Sequence, residues 1–160
     1  MNICRIMALL MALSVAGLVS ADEHMAVEGA WVREAPPAAM AMAGYMTLHN
    51  HADRERVLIG AESPAFEMVM LHRTVMEGDI SKMSHLHMIT IPAHGTLIFE
   101  PNSYHLMMMR PKQPLKAGDK LTVTLRFRNG DSQDVSYEVR AAMDAMGQGA
   151  HHDMAHGQSH

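Results

Sequence analysis

Cysteine is almost absent from this chain: its 160 residues include one, Cys4, close to the N-terminus. Basic residues are also few, with 13 Lys and Arg against 17 Asp and Glu and a formal net charge of -4, and they form no run. The sequence therefore lacks the basic surface typical of a nucleic-acid-binding protein. Hydrophobic residues make up 48% of the chain and charged residues 19%, which is enough for one packed core and predicts a single globular domain.

A long apolar run occurs only near the N-terminus. Arg5 precedes the apolar stretch Ile6–Ser20, and Ala21 follows it. This layout predicts a secretory signal peptide, residues 1–21, and a periplasmic protein. A transmembrane helix needs ~20 apolar residues, but Asp22 interrupts the run too early, so we expect no membrane span in the mature chain. Cleavage would also remove Cys4, and a chain without cysteine has neither disulfides nor thiolate zinc sites.

Helical periodicity is missing as well. Short segments of alternating polarity, separated by Gly, Pro, Asn and Asp, run through residues 27–140 and predict an all-β sandwich or barrel within a domain of residues 22–141. The clearest pair is a hairpin in which Leu121–Phe127 and Val135–Val139 flank Asn129-Gly130. The other predicted strands are Val27–Arg33, Tyr45–Asn50, Val57–Gly60, Phe66–Met76, Ile80–Ile91, Thr96–Glu100 and Tyr104–Arg110.

Methionine and histidine are abundant, with 18 and 12 residues. Residues 142–160 hold several of them among small and polar residues, which predicts a disordered tail. A cloning tag is the alternative interpretation, but a tag is more often an unbroken histidine run, and interleaved methionine favours metal capture. We expect this tail to bind Cu(II) through its histidines and to offer sulfur once the metal is reduced. The candidate ligands are Met143, Met146, His151, His152, Met154, His156 and His160.

A second candidate Cu(II) site lies at the predicted mature N-terminus. With Asp22 first, the free amine, two amide nitrogens and the His24 imidazole would form a four-nitrogen square plane, which suits Cu(II) or Ni(II). An incidental histidine near a frayed terminus is the alternative interpretation of His24.

A different set of His and Met residues lies on the predicted strands. His105 and Met107 are two residues apart, and in a strand this spacing puts both side chains on one face. If Glu77-Gly78 forms a two-residue turn, His72 lies directly opposite Met83, with about 4.5–5.5 Å between the Cβ atoms.

Two imidazoles and two thioethers form a soft, uncharged ligand set that selects Cu(I), with Ag(I) as a surrogate. Without cysteine the set does not make a blue-copper electron-transfer site, and it lacks the carboxylates of a hydrolytic zinc site. Met109 shares the face of His105 and is a candidate auxiliary ligand. Methionine is also a flexible core filler, so Met68, Met70 and Met76 are predicted to pack in the core.

The spacing of His72, Met83, His105 and Met107 is H-x10-M-x21-H-x-M, which resembles the signature of the periplasmic copper chaperones called PCuAC. The resemblance covers about Val27 to Ala141, and motifs that match the family surround the four residues. Those motifs include Ala30–Arg33 with Pro36-Pro37, Gly44–Asn50, Glu77-Gly78, and Pro114–Asp119. One local departure is Ser84–Met88, where the family more often has basic and aliphatic residues, and an additional or competing metal site there stays open.

The resemblance implies a cupredoxin-like Greek-key β-sandwich or barrel in which His72, Met83, His105 and Met107 bind Cu(I). It also implies delivery of copper towards the CuA centre of cytochrome c oxidase, to its CuA subunit directly or with a Sco-type thiol protein. The large surplus of His and Met favours the alternative function, sequestration of copper or silver for metal tolerance. We do not expect an enzyme, because Met-rich coordination leaves no obvious open position for oxygen.

Overall fold

The computed structural model describes residues 25–141, which form ten β-strands and, within this range, no helix. The predicted signal peptide, His24 and the tail, residues 142–160, lie outside the described residues. The strands are β1 Ala26–Arg33, β2 Ala41–His49, β3 Arg56–Glu62, β4 Phe66–Glu77, β5 Ile80–Leu86, β6 Ile89–Ile91, β7 Thr96–Phe99, β8 Tyr104–Pro111, β9 Lys120–Phe127 and β10 Ser132–Arg140.

The strands join edge to edge and close into a barrel. Eight of them follow the order β4-β8-β7-β2-β1-β10-β9-β3, and the barrel closes where Ala61 of β3 pairs with Val69 of β4. Several neighbours in this order are distant in sequence, such as β2 with β8 and the parallel pair β1 with β10. Strands β5 and β6 are added outside the closed order, on β4 and on β3. The predicted all-β architecture is confirmed.

Strand β4 pairs with different strands along its 12 residues. One edge pairs with β8 from Phe66 to Arg73. On the other edge, Val69 contacts β3, whereas the stretch from Leu71 onward pairs with β5. The end of β4 and all of β5 therefore extend the sheet beyond the closed barrel.

The predicted C-terminal hairpin is confirmed as β9 and β10. Gly130 adopts a φ of 93°, and its amide donates to the Phe127 carbonyl at 3.1 Å, as in a three-residue hairpin loop that ends on a left-handed residue. Side chains that face the barrel interior alternate along both strands with side chains that face solvent. The inward ones are Leu121, Val123, Leu125, Phe127, Val135, Tyr137 and Val139, all buried.

Most predicted strand boundaries lie within three residues of those in the structure, and two predictions differ more. Strand β2 begins at Ala41, earlier than predicted, and the predicted strand Ile80–Ile91 is two strands that separate at His87 and Met88. The reason for the break is a change of partner, since β5 pairs with β4 while β6 pairs with β3. Within residues 25–141, no helix has the length and apolar character needed to cross a membrane.

Candidate metal centre

The register of the β4–β5 hairpin corrects one prediction. Glu77 pairs with Ile80, so the turn residues are Gly78 and Asp79 rather than Glu77 and Gly78. Gly78 has a φ of 61°, and a two-residue hairpin turn that needs positive φ at its first central position favours glycine there.

The prediction that His72 lies directly opposite Met83 is therefore wrong. His72 pairs with His85, and Met83 pairs with Thr74. The shift is two residues, which keeps every side chain on its own face of the sheet. Met83 is thus a diagonal neighbour of His72 on the same face, at about 7–8 Å.

Strand β8 brings the other two candidate ligands to this face, as the two-residue spacing predicted. His105 pairs directly with His72, and Met107 pairs with Met70, so Met107 is also diagonal to His72. The opposite face of the same strands packs into the core through Leu71, Leu106 and Met108. Three adjacent strands, β5, β4 and β8, thus present the predicted quartet, His72, Met83, His105 and Met107, on one outward face.

Imidazole rings form a row across this face. The ring centroids of His105 and His72 are 5.7 Å apart, and those of His72 and His85 are 5.6 Å apart, both in edge-on orientation. His87, just after the end of β5, continues the row at 4.8 Å from His85. His85 was not among the predicted ligands, although its position in the alternating sequence Ser84-His85-Leu86-His87 placed it on one side of a strand.

His105 is held by the backbone in one tautomer. It is only 5% exposed, and its Nδ1 lies 3.2 Å from the Ser103 carbonyl oxygen. Because a carbonyl only accepts, Nδ1 carries the hydrogen, and the lone pair of the neutral ring is on Nε2. The same carbonyl accepts the amide of Thr74 at 3.0 Å, which ties the orientation of His105 to strand β4. A histidine ligand is typically oriented by such an outer contact.

His72 has no hydrogen-bond partner within the described part of the chain. Both Nδ1 and Nε2 are buried, and neither one is hydrogen-bonded. Burial, together with the nearby His105 and His85 rings, lowers the pKa of His72 below its ordinary value. The lowered pKa favours the neutral ring, which is the form that can bind a metal ion.

The remaining candidate residues are distributed unevenly. Met83 is 55% exposed, while Met109 is half-buried and pairs with Met68 on the face of the quartet.

The predicted core packing of Met68, Met70 and Met76 is wrong, since Met68 and Met76 are more than half exposed and Met70 is half-buried. Their positions in β4 alternate with Val69 and Leu71, and it is those two residues that face the core side. Across residues 25–141, no three His, Cys, Asp or Glu side chains form a group that could hold a metal ion.

Solved structures with the same architecture include copper proteins. The copper-bound PCuAC domain from PmoF2 aligns with a TM-score of 0.63 and 22% identity, over 74% of this chain and 98% of that domain. The Cu(I) form of DR1885 from Deinococcus radiodurans aligns with a TM-score of 0.59 and 37% identity, over 70% of this chain and 75% of that protein. The predicted cupredoxin-like fold is confirmed.

Sequence relatives are described as lipoproteins or not characterised. A Leifsonia xyli subsp. xyli protein described as a "Putative lipoprotein" is 35% identical over 115 residues, which span 71% of this chain and 68% of that protein. An "Uncharacterized protein" of Rickettsia prowazekii is 28% identical over 96 residues, 59% of this chain and 53% of that protein. The family model described as "Putative lipoprotein LpqE-like" matches residues 25–139. Since this match covers nearly the whole described domain, the chain belongs to the LpqE-like family.

Proposed function

We propose that this protein is an exported, periplasmic copper chaperone that binds one Cu(I) through His72, Met83, His105 and Met107. It delivers the copper towards the CuA centre of cytochrome c oxidase, to the CuA subunit directly or with a Sco-type thiol protein. The copper ion is cargo in this proposal, and the chain performs no turnover of its own.

The observation that carries the proposal is the state of His72. A buried polar group without a partner costs about 1–3 kcal/mol, and His72 has two such nitrogens, with the ring centroid of His105 at 5.7 Å from its own. A soft metal ion that accepts the lone pair of His72 removes part of that cost. The thioethers of Met83 and Met107, diagonal to His72 on either side, complete a neutral N2S2 set suited to Cu(I).

Comparisons with known proteins support three parts of the proposal, namely the metal, the fold and export. The Deinococcus radiodurans protein, 37% identical to this chain, was solved with Cu(I). The copper-bound PCuAC domain from PmoF2 supports the fold. The lipoprotein description of the Leifsonia relative supports export.

Delivery requires that copper leave as well as bind, and the quartet has a buried side and an exposed side. His105 is 5% exposed, whereas Met83, on the outermost strand, is 55% exposed. A thiolate of an acceptor protein can replace Met83 first while the two histidines still hold the metal. Transfer then proceeds by ligand exchange at constant oxidation state.

A competition titration tests the binding site. With a chromophoric Cu(I) chelator as competitor, His72→Gln should lower Cu(I) affinity by about tenfold or more, ~1.4 kcal/mol. The matched control is His94→Gln, since His94 is exposed and bonded to Asp53 away from the quartet. X-ray absorption of the one-equivalent Cu(I) protein should show both nitrogen and sulfur scatterers. Equal affinities for the two variants, or a spectrum without sulfur, would refute the site.

Sequestration for metal tolerance is the second candidate function, because the quartet uses only four of the 18 methionines and 12 histidines. A deletion strain distinguishes the two functions. Loss of cytochrome oxidase activity in copper-limited medium supports delivery, whereas copper sensitivity with normal oxidase activity supports sequestration.

In either function, the tail and the N-terminal His24 are additional candidate Cu(II) sites. Ending the chain at Ala141 should abolish the tail's share of Cu(II) binding and leave the Cu(I) affinity of the quartet nearly unchanged. A truncated chain that keeps its full Cu(II) capacity would remove the tail from the proposal.

A further inference from the structure

Methionines continue the outward face of β4 and β8 beyond the histidine pair. Next to His72 and His105, Met70 pairs with Met107, and the following row pairs Met68 with Met109. Directly opposed side chains have their Cβ atoms about 4.5–5.5 Å apart, and successive rows on one face are separated by about 7 Å. We call these four residues, Met68, Met70, Met107 and Met109, the methionine ladder.

Core packing does not explain the methionine ladder. Met68 is 55% exposed, and the other three are half-buried. The core side of the same strands is filled by other residues, among them Met108, which is fully buried. On the neighbouring strand β2, the residues paired with Met107 and Met109 are Ala43 and Ala41. These alanine side chains are short, and Met107 and Met109 beside them stay partly exposed.

Four thioethers at neighbouring positions on one face of the sheet select one class of ligand. Thioether sulfur is soft and uncharged, and it binds Cu(I) or Ag(I) in preference to Cu(II), Zn(II) or harder ions. Each methionine side chain has three rotatable bonds, so the sulfurs of two opposed pairs can turn towards a common point between the strands. The geometry points to a second binding position for a soft monovalent cation, held by the methionine ladder alone.

This inference rests on the proposed function, because Met107 belongs both to the methionine ladder and to the quartet. A Cu(I) ion at the ladder can reach the quartet while Met107 stays bound: His72, His105 and Met83 replace Met68, Met70 and Met109 as ligands. No electron is transferred, and the ion moves about one row along the sheet. The ladder is therefore a holding position from which copper enters or leaves the quartet.

Nuclear magnetic resonance of the full chain with labelled methionine methyl groups and labelled histidine rings tests the inference, with Ag(I) as the probe. The first equivalent should shift the His72 and His105 ring signals and the Met83 methyl. A further equivalent should bind the three ladder sulfurs that the quartet ion leaves free and shift the methyls of Met68, Met70 and Met109. If those three methyl signals do not move with added Ag(I), the inference is wrong, whatever the methionines of the tail bind.

A pair of double variants gives the affinity test. Met68→Leu with Met70→Leu conserves side-chain volume, which usually limits the loss of stability, and removes two of the four ladder sulfurs. We expect binding at the ladder to weaken about tenfold or more, with the quartet signals still shifting at the first equivalent. The control, Met40→Leu with Met76→Leu, removes two sulfurs outside the ladder, from residues that are 60% and 53% exposed, and should bind as the unsubstituted chain does. A ladder variant indistinguishable from this control would overturn the inference.

A third variant separates failure of the inference from failure of the proposed function. His72→Gln with His105→Gln removes both imidazole ligands and keeps all four ladder sulfurs. Shifts of the Met68, Met70 and Met109 methyls should persist in this variant. Absence of His and Met83 shifts in the original chain would contradict the proposed function, whereas loss of the ladder shifts in the His variant would contradict an independent ladder site.

Discussion

Two hairpins of the domain, β9–β10 and β4–β5, differ in their exposure to solvent. In the β9–β10 hairpin, every second side chain is buried, and each strand also has a second neighbour, β3 or β1. In the β4–β5 hairpin, strand β5 has β4 as its one neighbour within residues 25–141, and six of its seven side chains are exposed, with Leu86 half-buried.

The two hairpins therefore have different roles, one in the stability of the fold and the other in metal binding. The β9–β10 hairpin contributes apolar area to the core, at about 25 cal/mol per Å² buried, and its outward face carries ordinary polar side chains. Strand β5 and the outward face of β4 bury little apolar area, so their residues are available as ligands that a metal must reach and that must release it to a partner. Inward substitutions in the β9–β10 hairpin should act on folding, and substitutions on the outward face of the β4–β5 hairpin should act on copper.

The largest expected effect comes from a cavity in the β9–β10 hairpin. Leu125 is 0% exposed, and Leu125→Ala should lower the free energy of unfolding by about 2–5 kcal/mol, because it removes apolar contacts and leaves a cavity. Urea unfolding of the metal-free protein measures this. The control is Arg126→Ala, next in the chain, whose exposed ion pair with Glu62 at 3.5 Å is of a kind worth ~0–1 kcal/mol. A Leu125→Ala cost no greater than that of the control would contradict the division between the hairpins.

The next effect is on copper. Met83→Ala should change the free energy of unfolding by about 0.5 kcal/mol or less, as expected for an exposed side chain, but lower Cu(I) affinity by about tenfold, ~1.4 kcal/mol. Competition with a Cu(I) chelator measures the affinity. Met76→Ala is matched, because Met76 lies in the same hairpin and is 53% exposed against 55% for Met83. If both variants lose the same affinity, Met83 has no special role.

The smallest effect is a shift in the titration of His72. Its pKa is lowered by burial and by the adjacent His105 and His85, so in the metal-free protein it should titrate below the ordinary value of ~6.5. Between the lowered pKa and about pH 6.5, the unfolded chain binds more protons at His72 than the folded chain does. The contribution of His72 to the free energy of unfolding is therefore intact above pH ~6.5, and it is lost as the pH falls towards the lowered pKa.

Imidazole signals in a magnetic-resonance pH titration provide the check. His85→Ala removes one neighbouring charge and part of the cover over the ring, and it should raise the pKa of His72. If His72 titrates at or above pH ~6.5, or if the His85 substitution leaves its pKa unchanged, the neighbouring imidazole rings do not determine the pKa of His72.

The sequence predicted the all-β fold because apolar and polar residues alternate from Leu121 to Val139. A period of two indicates a strand with one buried face. It predicted that His105 and Met107 share a face for the same reason, since a period of two needs no tertiary information. The residue that pairs with His72 was harder to predict. It depends on whether the turn begins at Glu77 or Gly78, a choice that alternation alone does not make.

Methionine was the other weak point of prediction. Its side chain suits both a core and a soft-metal site, and residue type alone led to the wrong prediction that Met68 and Met70 pack in the core. Only the register with Met109 and Met107, together with their exposure, showed that they lie outside the core. The face of His85 was readable from the alternation of Ser84–His87, but its contact with His72 required the hairpin register.

Barrel closure at β3 and β4 has a consequence for local unfolding. The pairing there is one register pair, Ala61 with Val69, whereas β4 pairs with β8 from Phe66 to Arg73 and with β5 from Leu71 to Glu77. Two strands joined by few paired residues separate at a lower free energy than two strands joined by many. We therefore expect amide hydrogen exchange to begin between β3 and β4. Such an opening leaves β5, β4 and β8 together as a three-stranded sheet. The quartet and the methionine ladder lie entirely within that sheet and keep their register while the barrel is open.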